Sequence, residues 1–304
     1  MNQVSIAMTM TTRPTAHRSH NWQDECKYFK YKGISMMKLF LSLAFIVIVA
    51  LGQAPPEGPD RLDDPASRLD FMKKSLATFD VHSTDGGGSR YRLQAEPILR
   101  FTNPVGGSQD GAIFLWLDES DRPGVVVQVF RKQEGPWSQE FLSLSTGPLI
   151  AEARSGPAWT PSRGGIELRP VPEAPKPAAT AERRLLQMRA LARQFSAEDY
   201  FKNKSWNTLR LLSRPLARYG KPGSDPIDGA LFCFALTTDP EVFLILETRT
   251  GKDGPEWQYA FAPMTTFAVK GSWNGREVWN LPARFGVAKG VNESFHVRPL
   301  PPGE

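Results

Sequence analysis

The sequence is poor in the side chains from which most catalytic centres are built. Its 304 residues include two cysteines and four histidines. Cys26, His17 and His20 precede an N-terminal apolar run, which leaves Cys233, His82 and His296 for the rest of the chain. A lone thiol excludes an intramolecular disulfide. Neither remaining histidine has a second ligand at metal spacing, so zinc and a histidine-based triad have no support. There is no G-x-S-x-G, no dinucleotide fingerprint and no P-loop: Gly86-Gly87-Gly88 is not followed by Lys-Ser/Thr. No cofactor and no metal is expected. Cys233 sits in the apolar run Leu231-Phe232-Cys233-Phe234, where a buried thiol is the expectation rather than a nucleophile.

Net charge is also scarce once its position is considered. The formal charge is +5, but six of the 37 basic and two of the 32 acidic residues precede residue 53, leaving 31 and 30 and a net +1. A near-neutral remainder carries no electrostatic footprint for nucleic acid. The basic N-terminus belongs to a different feature. Lys38 is followed by 13 uncharged, apolar residues from Leu39 to Leu51, short for a membrane span and suited to a signal peptide. Small residues at Ala50 and Gly52 suit cleavage after Gly52. The expectation is an untranslated or disordered leader at 1–35, a signal peptide at 36–52 with translation starting at Met36 or Met37, and a periplasmic or secreted product. The alternative is an uncleaved segment that anchors the protein in the membrane.

What the chain does contain is internal similarity. Residues 97–114 and 215–232, offset by 118, share seven identities in 18 positions, including Arg100/Arg218, Asp110/Asp228, Gly111/Gly229 and Phe114/Phe232. Upstream, Leu69, Met72 and Phe79 match Leu185, Met188 and Phe195 at offset 116; downstream, Trp137, Phe141 and Trp159 match Trp257, Phe261 and Trp279 at offset 120. Asp64-Pro65 is an N-cap followed by a first-turn proline, opening a helix to about Phe79. Its partner is expected from about Ala181 to Phe201. Strands are expected over 92–101, 111–119, 124–132, 138–146 and 149–154, then over 207–219, 229–238, 241–250, 257–271 and 276–280. Asn274-Gly275 is the strongest hairpin signal.

These readings predict an α+β protein: two tandem copies of a helix followed by an antiparallel β-meander, packed as a pseudo-twofold pair. Copy one spans 53–168 and copy two 181–282, joined by a stiff proline-rich linker at 169–180. A loose C-terminal tail follows at 283–304. Strands around Ile113-Phe114-Leu115, Val125-Val126-Val127 and Phe243-Leu244-Ile245 are apolar without alternation, so both faces of their sheets should be covered.

The candidate functional residues are the polar ones present in both halves, Arg100 with Asp110 and Arg218 with Asp228. They read either as charged ligand contacts or as Arg–Asp bridges that hold turns, the latter being favoured by the preference of turns for Asp. Of the tryptophans, Trp137, Trp159, Trp257 and Trp279 fit core packing, whereas Trp116, Trp206 and Trp273 lack counterparts and are candidates for surface contacts.

Several stretches resemble an uncharacterised family of secreted proteins from planctomycete-type bacteria. They include Asn103-Pro104-Val105, Glu140-Phe141, Asp228-Gly229-Ala230-Leu231-Phe232, Thr238-Asp239-Pro240-Glu241-Val242 and Trp257-Gln258-Tyr259-Ala260. The resemblance covers about residues 69 to 282 and implies a bacterial, exported protein. It implies no activity and no site residue. The leading expectation is therefore a non-enzymatic extracytoplasmic binding or structural module with an unidentified ligand or protein partner and a groove between the halves. The alternative is a carboxylate-dependent hydrolase, since Asp and Glu are the abundant acid–base groups.

Overall fold

The computed structural model describes residues 64–300, apart from 86–87, 104–106, 133–134, 155, 203 and 222. The expected leader and signal peptide lie outside the described residues. Helix α1 (Pro65–Leu76) starts as its sequence predicts: the Asp64 carboxylate accepts from the backbone N–H groups of Ala66 and Ser67 at 2.8 and 3.0 Å. Strands β1 (Asp80–Ser83), β2 (Arg90–Leu93), β3 (Leu99–Asn103), β4 (Ser108–Leu117), β5 (Pro123–Lys132), β6 (Trp137–Ser143), β7 (Leu149–Ala153), β8 (Gly156–Trp159) and β9 (Arg169–Pro170) follow. After α2 (Ala181–Ala192) come β10 (Phe195–Phe201), β11 (Ser205–Thr208), β12 (Arg210–Leu211), β13 (Ala217–Tyr219), β14 (Asp228–Leu236) and β15 (Asp239–Gly251). The chain ends with β16 (Gly254–Pro263), β17 (Val269–Trp273), β18 (Arg276–Leu281) and β19 (Phe295–Pro299). Asn274 and Gly275 join β17 to β18 with φ of 46° and 78°, the double positive φ that a two-residue hairpin turn requires.

The expectation of an α+β protein built from two tandem helix-plus-meander copies packed as a pseudo-twofold pair is corrected. Strands hold 51% of the described residues and helices 12%. The main sheet runs β19-β6-β5-β4-β2-β1-β7-β8, with β3 also on β4. Its two ends meet, because the N–H groups of Thr160 and Ser162 just beyond β8 donate to the carbonyls of Val291 and Asn292 just before β19, at 2.7 and 3.1 Å. The result is a nearly closed antiparallel barrel, not a helix followed by an open meander. Two misread segments explain the difference. The expected helix over 181–201 stops at Ala192, and β10 follows; there Phe195, Ala197 and Asp199 are buried between less buried neighbours, a period of two. Asp80–Ser83, which follows the expected end of the first helix at about Phe79 and belongs to none of the expected strands, is β1, which pairs with both β2 and β7 and carries the sheet round.

Nor does each half keep to itself. The tail expected to be loose supplies β19, paired along β6 with Phe295 opposite Leu142, and buries Phe295 and Leu300. The expected linker supplies β9, which pairs with β16. In the second half β9-β16-β15-β14-β12, with β13 on β14, form one sheet, and β11-β10-β17-β18 another. The chain passes between them through Leu209, whose N–H donates to Ala197 at 2.9 Å.

Three cores result. Met72 and Leu76 of α1 bury with Trp116, Phe141 and Trp159 against one face of the main sheet. Met188 and Leu191 of α2 bury with Phe232, Trp257 and Trp273. The opposite faces of β4–β6 and β14–β16 press together through Ile113, Val126, Leu142, Cys233, Phe243 and Ile245. Each central strand is therefore covered on both sides, which is why it has no polar alternation.

Candidate functional site

The four candidate polar residues form two separate clusters. Arg100 donates from Nη2 to Asp110 Oδ1 and Oδ2 at 2.6 and 2.8 Å, and Arg68 on α1 donates from Nε to Asp110 Oδ2 at 2.7 Å. Arg218 donates to Asp228 from Nε at 3.1 Å and from Nη2 at 2.9 Å, and Arg184 on α2 adds a bond from Nε at 2.9 Å. Each aspartate thus ties a helix to a pair of strands, and both are buried. The structure brings Arg100 to Asp110 and Arg218 to Asp228, and each carboxylate, held by two arginines, lies in the wall of an open surface groove. Arg68 and Arg184 were missed from the sequence. Their signal was available, since they stand at the 116-residue offset that relates Leu69 to Leu185. A groove of about 630 Å³ beside Asp110 is lined by Arg68 and Arg100 from one half and Arg210 and Thr238 from the other.

A stronger candidate lies where the two pressed sheets end. The residues of β15 that face the other sheet are, at every second position, Asp239, Glu241, Phe243, Ile245 and Glu247. Those of β5 that face it include Val126, Gln128, Phe130 and, at the rim, Lys132. The contact is apolar in the middle and polar at both ends. At one end the charges are matched. Glu247 is fully buried and accepts from Arg122 Nε at 2.8 Å, Tyr219 Oη at 2.9 Å and Arg249 Nη1 at 2.8 Å.

At the other end they are not. Gln128 Nε2 donates to Asp239 Oδ1 at 3.2 Å and Asn103 Nδ2 donates to Asp239 Oδ2 at 2.6 Å. Glu140 on β6 stands directly opposite Gln128 in the ladder, so the two side chains share a face. Glu241, 5% exposed, lies on the same stripe of β15 as Asp239. These groups line a cavity of about 210 Å³, walled by Phe130, Phe201, Met264 and Phe267, with Lys132 and Lys202 at its rim. Withdrawal from water, with Asp239 nearby, pushes Glu140 up to about 8 against the pull of Lys132. Burial likewise raises Asp239, against its bonds from Asn103 and Gln128, and holds Glu241 well above the usual carboxylate range with Asp239 adding to it.

None of these carboxylates was singled out as a candidate, although Asn103, Glu140, Asp239 and Glu241 all fall in the stretches that carry the family resemblance. The other expected positions resolve as follows. Trp137, Trp159 and Trp257 are buried, and Trp279 stacks on Phe261 with centroids 5.2 Å apart. Trp116 and Trp273 are buried too, and of the three unmatched tryptophans Trp206 alone is exposed. His82 lies on β1 and His296 is buried on β19, where burial lowers its pKa. Among the described residues no three His, Cys, Asp or Glu side chains are placed to hold a metal ion, and no helix is long and apolar enough to cross a membrane. Comparison with family models, with curated proteins and with solved structures gave no match.

Proposed function

We propose that this chain is an exported, non-enzymatic binding module and that its ligand occupies the acidic cavity between β5–β6 and β15. The observation that carries the reading is the mismatch between the two ends of one interface: Glu247 is fully paired, whereas Glu140, Asp239 and Glu241 share a cavity whose cations stand at the rim. Glu241 is buried and Glu140 and Asp239 are half-buried; carboxylates withdrawn from water without matched cations oppose folding unless they are protonated or meet a partner, so their grouping supports a bound group. Export rests on the signal-like run and on the family resemblance, and the near-neutral remainder argues against nucleic acid.

The test is ligand-dependent stabilisation. A ligand specific for the cavity should raise the melting temperature of the exported protein and lose that effect in Asp239→Asn. A ligand that stabilises both proteins equally would place the site elsewhere. A carboxylate-dependent hydrolase is the second reading, favoured by a Glu140 that holds its proton near neutrality beside a second carboxyl group. Assays with ester, peptide, glycoside and phosphate substrates separate the two. The binding reading expects no turnover, and turnover abolished by Glu140→Gln with unchanged stability would establish the hydrolase.

A further inference from the structure

Resting on that reading of the site, we infer that the cavity takes a small primary ammonium group carried on a short apolar stem. The first argument is the hydrogen-bonding character of the lining. Gln128 is 4% exposed; its Nε2 is used on Asp239, and its Oε1 has no hydrogen-bond partner among the described residues. Asn103 is likewise turned donor-first onto Asp239. Each amide turns an N–H onto the carboxylate, so beside the hydroxyls of Ser108, Thr265 and Thr266 the acceptors that face an occupant are Gln128 Oε1 and, once ionised, the carboxyl oxygens of Glu140, Asp239 and Glu241. A group with three donors and no acceptor matches this, and an ammonium is that group.

The second argument is charge and shape. With every lining group ionised, three carboxylates face Lys132 from β5 and Lys202 from the turn after β10, leaving one negative charge that one ammonium neutralises. Asp199 on β10 adds to the negative field at Glu241. The volume of about 210 Å³ equals roughly seven water shares, enough for a few heavy atoms. Phe130, Phe201, Phe267 and Met264 supply the wall against which a methylene stem and a cation pack well. An ammonium binds the ionised carboxylates, so its uptake displaces protons from them, and binding tightens as the pH rises from 5 towards 8 while the amine itself stays charged.

Calorimetric titration of the purified exported protein with propylammonium chloride tests this, with n-propanol, propionate and potassium chloride as matched probes. The expected result is one site for propylammonium, proton release revealed by buffers of different ionisation enthalpy, and a loss of about tenfold or more in affinity in Asp239→Asn and in Glu140→Gln. Folding of each variant is checked by its melting curve, and the two variants serve as independent reporters. If propanol or propionate binds at the cavity as well as propylammonium, or potassium displaces it at equal concentration, the ammonium assignment falls and the binding-site reading survives. If propylammonium binds but neither variant weakens it, the assignment falls as well. If no probe binds and broader ligand screening stabilises nothing at the cavity, both fall.

Discussion

Arg122, in the β4–β5 turn, and Glu247, on β15, stand 125 residues apart in the chain and meet in the interior at 2.8 Å. The Arg122 guanidinium also donates to the carbonyl of Leu144 at 3.0 Å, so it fastens the β4–β5 turn to the end of β6 and to β15 together. Removing Glu247 strands the buried Arg122, and removing Arg122 leaves the fully buried Glu247 with Arg249 as its one remaining cation among the described residues. Arg122→Met should therefore cost about 3 kcal/mol, and the double change with Glu247→Gln should cost less than the sum of the two singles. Urea denaturation of the three variants measures both quantities; additive losses would contradict the coupling.

Asp110 and Asp228 are expected to be structural. Asp110→Asn removes charge-assisted bonds from Arg68 and Arg100, and Asp228→Asn removes those from Arg184 and Arg218. Each change should lower stability by about 2 kcal/mol and leave propylammonium affinity unchanged. A loss of binding without a loss of stability would move the functional site to these residues.

Stability should fall as the pH rises through neutrality. Glu140 has a folded pKa of about 8 against an ordinary value of 4.5, so the native state holds its proton more tightly than the unfolded chain. Its contribution is complete below about pH 4.5 and is lost progressively up to about pH 8. Asp239 and Glu241 shift in the same direction and add to the slope. Melting temperatures taken between pH 5 and 8.5 should decline in the wild type and decline less in Glu140→Gln. An unchanged slope in the variant would remove Glu140 as a cause.

Cys233 should be inert in the native protein. It is fully buried on β14, and burial, reinforced by Glu241 and Asp239, pushes its thiol pKa well up. A thiol-specific reagent at pH 8 should label it only at the rate of unfolding, so labelling and unfolding rates should coincide across a urea series. Fast labelling in the absence of urea would show that β14 is open to solvent.

Deleting residues 291–304 should do more damage than trimming a tail. The deletion removes β19 from the edge of β6, along with buried Phe295 and Leu300 and the acceptors at Val291 and Asn292 that meet Thr160 and Ser162. It opens the barrel and leaves an unpaired edge strand. The truncated protein should aggregate or lose several kcal/mol of stability, two large side chains at about 2 kcal/mol each; light scattering and denaturation detect either outcome.

Local signals were legible in the sequence wherever one short stretch decides the outcome. The Asp64-Pro65 helix start, the Asn274-Gly275 hairpin and the apolar character of β4, β5, β14 and β15 are settled by residues within a few positions of each other. The second helix was drawn too long because Phe195, Ala197 and Asp199 follow directly on a helical period, and seven residues are too few to separate a period of two from one of 3.6. The tail looked loose because β19 has no pattern of its own; its hydrogen bonds and its apolar neighbours belong to β6.

The sequence by itself determined the helix starts, the apolar centre of each sheet and the burial of Cys233, and it left Arg100 with Asp110 and Arg218 with Asp228 open between ligand contacts and bridges. Tertiary structure alone decided that the main sheet curls until Thr160 meets Val291, and that Glu140, Asp239 and Glu241 share one cavity. The reason is physical. A side chain's immediate neighbours along the chain set its backbone preference and its face. Its charge partner is set by which strand of another sheet lies across from it, and Glu241 and Glu247, on the same stripe of the same strand, end in opposite electrostatic surroundings for that reason.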